Sequence, residues 1–304
     1  MEHAAAKTET IKAPRKDLHQ EVTDTIIRQL ENGVIPWQQP WKDFGQPLRL
    51  PVNFVTGNKY QGINTLMLWT SSIEQRFSSN EWATFKQWAS KEEFPRKGQR
   101  GSMIVYYSTF EKENEDGETE NIPFLKSSYV FNRCQLTSYE RPKRPVDEYA
   151  ETLFDKIPPV EAFIENTQAV IEHGSDEACY HHIDDKIYMP YRSDFTANAV
   201  CTATEGYYSV ILHELTHWTG HSDRLARGKG KRFSDWDYAV EELVAELGSA
   251  FMCADFGIAT IDKGNHSAYI SSWLKALREN KRYIFTAASE ANKAVEYLKK
   301  LQVN

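Results

Sequence analysis

The chain has 304 residues, 40% of them apolar and 26% charged, with a formal net charge of −7. At about 150 residues per domain this is enough for two domains with a core each, and it excludes disorder throughout. No apolar run approaches the ~18 to 20 residues that span a bilayer and no apolar stretch near the start suits a signal peptidase, so a cytoplasmic protein without membrane association is expected.

Residues 1–16 are polar and aperiodic and read as a flexible arm. Val22, Ile26, Ile27 and Leu30 recur at helical spacing and the run stops at Gly33, which predicts an amphipathic helix closed by a glycine cap. Pro36, Trp37, Pro40 and Trp41 follow. The prolines forbid a regular helix and the tryptophans require burial or a ligand, so an ordered loop is expected. Trp82, Phe85 and Trp88 predict a second helix, then a turn at 95–101 and a strand over 102–108. Residues 111–120 read as a hairpin tip, because strand character resumes at 128–132. A Pro- and charge-rich linker over 140–150 marks the boundary between the halves.

Beyond it, a helix is expected around 160–171 and a strand at 186–189. Thr202 and Glu205 form a capping box that opens a helix running to Gly220, and Ser234 with Asp237 opens another running to Gly257. Helices over 268–278 and 281–301 complete the chain. The fold class is therefore α+β: an N-terminal α+β domain at 17–139 and a mainly helical domain with a small sheet at 151–304. The four cysteines are far apart with no C-x-x-C among them, which disfavours a disulfide framework and a thiolate metal site.

The sharpest signal is His213-Glu214-Leu215-Thr216-His217. On a helix, positions i and i+4 share a face, so both imidazoles can grip one Zn²⁺ while the intervening Glu acts as a base on water beside the ion. A catalytic zinc also needs a third protein ligand. His221 lies ~12 Å from His213 along a straight helix, too far to share the ion. Asp223 can reach back if Gly220 turns the chain. Glu242 is the other candidate. It shares with Glu246 one flank of a helix whose apolar face is Trp236, Ala239, Leu243, Leu247 and Ala250, whereas Glu241 points nearly opposite. One carboxylate as ligand and one as orienter for a histidine would account for the pair.

Residues 213–224 (HELTHWTGHSDR), 238–250 (YAVEELVAELGSA) and 266–277 (HSAYISSWLKAL) resemble the zincin-like domain of ArdC-type antirestriction proteins, which are carried on conjugative plasmids. The first half matches as well, at Ile35-Pro36-Trp37, Pro40-Trp41, residues 56–64 (TGNKYQGIN), residues 82–87 (WATFKQ) and Arg96-Lys97-Gly98. The resemblance implies an N-terminal single-stranded-DNA-binding domain joined to a metallopeptidase-like domain. It makes His213, His217 and Glu242 the metal ligands, Glu214 the general base and Glu246 a support, with Zn²⁺ as the ion and Mn²⁺ as a second candidate. The role it implies is protection of incoming plasmid DNA from host restriction. Asp223 is outside the family pattern, and the acidic 111–120 segment reads as a variable insertion.

The first half carries its own indications of a nucleic-acid partner. Residues 1–145 hold 20 Lys and Arg against 18 Asp and Glu, and the remainder 16 against 25. Without 111–120, the first half stands at 19 against 12, a basicity that suits phosphate. Single-stranded DNA needs aromatic platforms for bases and cations for phosphates. Trp37, Trp41 and Tyr60 lie in expected loops, Lys59 adjoins Tyr60, and Arg96, Lys97 and Arg100 sit on a glycine turn. Trp69, Trp82 and Trp88 read as core. Two other functions use the same residues: a DNA-tethered metalloprotease acting on a protein substrate, and a DNA-binding module with a structural metal. The linker predicts that the basic half is separable.

Overall fold

The computed structural model describes residues 17–38, 49–113, 119–140, 155–197, 201–227, 235–260 and 266–302. The expected arm at 1–16, Trp41, most of the linker and the Ser234 cap lie outside the described residues.

Helix α1 (Leu18–Glu31) starts where the Asp17 side chain accepts the Gln20 N–H. It ends at Asn32 and Gly33, whose φ of 73° is the left-handed geometry a glycine takes without strain. Strand β1 (Val52–Asn53), helix α2 (Ile63–Gln75), strand β2 (Glu81–Ala83) and helix α3 (Phe85–Ala89) follow. Trp82 therefore lies on a strand rather than in the expected helix. The helix begins only after Thr84, which forms a capping box with Gln87. Strands β3 (Ser102–Glu113) and β4 (Thr119–Asn132) pair as a long antiparallel hairpin, so residues 111–113 and 119–120 of the expected tip are strand, and 114–118 lie outside the described residues. The sheet runs β1-β2-β4-β3, and only the β1–β2 pair is parallel. Successive strand residues face opposite ways. Trp82 accordingly packs with Leu68 and Val130, and Ala83 with Trp88 and Leu136.

In the second half, α4 (Pro158–Asn166) stops short of the expected 171. Gln168 takes a φ of 58° and turns the chain into β5 (Val170–His173). Strands β6 (Cys179–His181) and β7 (Lys186–Met189) complete a sheet of order β5-β7-β6, with β6 on the edge. Helix α5 (Ala203–Trp218) carries the Thr202–Glu205 capping box. Helices α6 (Asp235–Phe256), α7 (His266–Glu279) and α8 (Tyr283–Lys300) follow. No helix among the described residues is long and apolar enough to cross a membrane.

The halves do not keep separate cores. Val22, Ile26, Leu30, Trp37, Leu66 and Trp69 belong to the same buried cluster as Phe251, Trp273, Ile284 and Ala288. Trp37 meets Trp273 edge-on at 5.4 Å, and Trp69 lies 5.7 Å from Phe251. Helix α1 rests on α7, and α2 on α8. Thr23 Oγ1 donates to the Lys281 carbonyl at 2.6 Å, and Arg278 pairs with Glu31 at 2.6 Å. The expectation of two self-contained cores is corrected accordingly: the apolar faces of α1 and α2 are covered by the other half.

Candidate metal centre

Both histidines project from one face of α5, one helical turn apart, as their spacing dictates. Their Nε2 atoms converge to 3.2 Å, closer than two imidazole rings need come for packing alone. Glu242, from α6, offers one carboxylate oxygen to each, 3.6 Å from His213 Nε2 and 3.5 Å from His217 Nε2. Among the described residues these three form a group that could hold a metal ion, their donor atoms all within 4.8 Å of one another. Two imidazoles and a carboxylate meeting at one point suit a divalent ion with a position left open. Helix α6 reaches this close because Gly248 faces Thr216, where a Cβ would stand only 2.5 Å from Thr216 Cγ2.

The outward Nδ1 atoms also face carboxylates. Glu246 Oε1 lies 3.6 Å from His213 Nδ1, and its Oε2 accepts the Gln38 amide at 2.8 Å. Gln38 follows the buried Trp37, so the N-terminal half contributes to the surroundings of the metal centre. Glu241 Oε1 lies 3.3 Å from His217 Nδ1 and is gripped by Arg227, whose Nη2 is 2.8 Å away. The expectation that Glu241 points away is therefore corrected. The loop after α5 brings Arg227 back against α6, and the guanidinium draws Glu241 toward His217. Burial pushes the His217 pKa down, but the hydrogen bond to Glu241 and the charges of Glu242 and Glu214 outweigh it, and the net shift is upward. Burial likewise pushes Glu241 up, and His217 and Arg227 together hold it below its ordinary value.

Glu214 is 6% exposed, and its Oε2 accepts the backbone N–H of Tyr180 on edge strand β6 at 2.8 Å. The Tyr180 hydroxyl in turn donates to Asp185 at 2.8 Å, and Arg224 binds the same carboxylate while lying over the Trp218 ring. This bracket ties strand to helix and was not visible in the sequence, where Arg224 lies 39 residues from Asp185. Asp223 does not reach the centre. Its side chain is 83% exposed, and a carboxylate oxygen lies 3.7 Å from His221 Nδ1.

The residues expected to contact DNA scatter. Trp37 is fully buried, which removes it as a stacking platform. Tyr60 is half-buried against the Leu68, Trp82 and Val130 cluster, and its hydroxyl accepts from Asn53 at 3.2 Å. Lys59 pairs with Asp255 of α6. The Arg96 guanidinium donates to the Leu136 and Cys134 carbonyls at 2.6 and 2.7 Å, so it pins the turn. Lys97 and Arg100 are exposed on that turn. Trp69, Trp82 and Trp88 are core, as their patterns predict.

Residues 16–131 match the family described as the N-terminal domain of anti-restriction factor ArdC, and residues 158–290 match a zincin-like metallopeptidase family. The chain is 34% identical over 290 residues to the uncharacterized protein y4eC of Sinorhizobium fredii (strain NBRC 101917 / NGR234), spanning 93% of this chain and 91% of that protein. It is 32% identical to a DNA primase TraC of Escherichia coli, of which it covers 27%. Among solved structures, the metal-free antirestriction ArdC protein from the R388 plasmid superposes with a TM-score of 0.78 at 38% identity, covering 94% of this chain and 98% of that one. Its Mn(II)-bound form gives 0.75 at the same identity, covering 95% and 99%. With both halves matched in order and the plasmid ArdC structure covered almost end to end, the chain belongs to the ArdC-type antirestriction family, its second half being a zincin-like metallopeptidase domain.

Proposed function

We propose that this protein binds single-stranded DNA through its N-terminal domain and shields incoming plasmid DNA from host restriction, with a divalent metal held by His213, His217 and Glu242. The observation that carries the metal reading is the convergence of the two Nε2 atoms and the Glu242 carboxylate. Zn²⁺ suits two imidazoles and a carboxylate, and the Mn(II)-bound ArdC structure makes Mn²⁺ the second candidate. When bound, such an ion supplies Lewis acidity and makes water a better nucleophile at neutral pH.

The chain's own residues supply the rest. Tyr180 N–H fixes one oxygen of Glu214, and the other serves as the base that takes a proton from water and returns it to a leaving amine. Glu241 accepts from His217 Nδ1 and holds that imidazole in the tautomer that aims Nε2 inward, while the Glu246 carboxylate lies 3.6 Å from His213 Nδ1. This is peptide-hydrolysing machinery, and the oriented Glu214 favours its use on proteins at the DNA, including the host restriction system, over a purely structural metal.

The test compares wild type with Glu214→Ala for protection of transferred DNA in restricting cells, with metal content and DNA binding measured on both. Loss of protection with metal and DNA binding intact assigns the role to hydrolysis. Full protection by Glu214→Ala would leave DNA binding as the active principle and the metal as a staple. A wild type that binds no single-stranded DNA overturns the DNA reading.

A further inference from the structure

The rings expected to stack on bases are buried or half-buried, yet another group of rings in the same half faces solvent. Phe85 is 52% exposed, Phe94 50% and Tyr129 51%. Single exposed aromatics are ordinary, but these are neighbours. Phe85 lies 6.4 Å from Phe94 and 6.4 Å from Phe131, centroid to centroid. Phe131 and Tyr129 are two apart on β4 and so share a face of the sheet. Gly101 sits beside both: a Cβ there would stand 3.1 Å from Tyr129 Cβ and 3.3 Å from the Phe131 ring. Any larger residue would lie across the two rings, and glycine leaves them open.

The border of this patch is basic. Residues 85–101 contain Lys86, Lys91, Arg96, Lys97 and Arg100 against Glu92 and Glu93, and the Glu93 carboxylate is engaged by the Ser138 hydroxyl. The turn that carries the cations is pinned at both ends. Arg96 bonds the Leu136 and Cys134 carbonyls, and the Gln135 amide donates to the Arg100 carbonyl at 2.9 Å. Lys97 and Arg100 are thereby presented outward from a rigid support.

Resting on the single-stranded-DNA reading above, we propose that Phe85, Phe94 and Tyr129, backed by the half-buried Phe131, form the surface on which unpaired bases stack, with Lys97 and Arg100 binding the flanking phosphates. Rings without hydrogen-bond readout accept any base, and cations at the margin follow the backbone, which is the chemistry of sequence-tolerant single-strand binding. A duplex hides its base faces and does not fit. The basic border likewise selects a polyanion over an apolar protein segment.

The experiment measures binding of the full chain to an oligothymidylate and to an abasic oligonucleotide of the same length, across a salt series. Wild type is expected to prefer the oligothymidylate. Phe85→Ala with Phe94→Ala should weaken oligothymidylate binding about tenfold or more while leaving abasic binding nearly unchanged. Lys97→Ala with Arg100→Ala should weaken both ligands and lower the salt slope by roughly 0.7 for each phosphate no longer neutralised. Phe85→Leu with Phe94→Leu keeps the apolar area but not the ring faces, so it should behave as the alanine pair does, and it serves if that pair fails to fold. Wild-type affinity in a folded leucine pair would overturn the stacking surface while leaving the single-strand reading intact. A wild type that binds neither ligand would sink that reading and this surface with it.

Discussion

His217 shows how a metal centre depends on side chains that never touch the ion. Glu241 accepts from its Nδ1, and Arg227 holds Glu241 in place. A helical wheel records Cα directions, and by that measure Glu241 turns away. What it omits is a three-torsion side chain drawn sideways by a guanidinium that arrives from a loop. In the metal-free protein, the raised His217 pKa contributes stability that is fully present below its ordinary 6.5 and is lost as pH rises through the raised value. The lowered Glu241 pKa contributes above its ordinary 4.5 and is lost as pH falls through the lowered value, so both act together between those two ordinary values. The same proton competes with the metal, and affinity should therefore increase with pH. Glu241→Gln is expected to lower metal affinity about 10- to 100-fold at neutral pH and to flatten that pH dependence. Chelator competition across neutral pH measures both, and an unchanged affinity would return Glu241 to the helix surface.

The pairing of α5 with α6 sets where Glu242 stands, and its tightest point is Gly248 against Thr216. In an isolated helix Gly→Ala stabilises by roughly 1 kcal/mol. Here a Cβ would meet Thr216 Cγ2 at 2.5 Å and Oγ1 at 2.6 Å, a clash inside a buried interface. Overpacking of this kind costs about 1 to 3 kcal/mol, so the clash wins. Gly248→Ala should lower the melting temperature and weaken metal binding together, and adding Thr216→Ala should restore much of both. If the single change raises the melting temperature, the two helices are not in close contact there. Sequence alone marks this glycine only as a weak helix former, because the close approach belongs to the partner helix. Elements with local signals were legible: the Thr202–Glu205 box opens α5 where expected, and the 186–189 strand is β7. At α3 the local signal was present but masked by a misleading spacing. The spacing of Trp82, Phe85 and Trp88 imitates a helical face, while Thr84 and Gln87 mark the true start.

A charge boundary and a linker suggested two separable bodies, yet neither charge nor linker composition reports what the apolar faces touch. Val22, Ile26, Leu30 and Leu66 read as an ordinary core for the first half and prove to be buried with α7 and α8 of the second. Trp37 is the clearest instance. A tryptophan between prolines suits a ligand as well as it suits a core, and here it is seated on Trp273 and carries Gln38 to Glu246 beside His213. Full burial of one such side chain contributes about 1.5 to 3 kcal/mol, and a domain is stable by only about 5 to 15 kcal/mol. Uncovering four to six of them removes most or all of that margin. Residues 1–145 expressed alone should therefore lack a cooperative thermal transition by circular dichroism and show red-shifted tryptophan emission, and addition of residues 146–304 should restore both signals. A fragment that melts cooperatively near the full chain's temperature would mean that the first half is stable without the second. The contacts of Trp37 and Trp69 would then be docking between finished domains, and the fragment could be used to measure DNA binding apart from the metal centre.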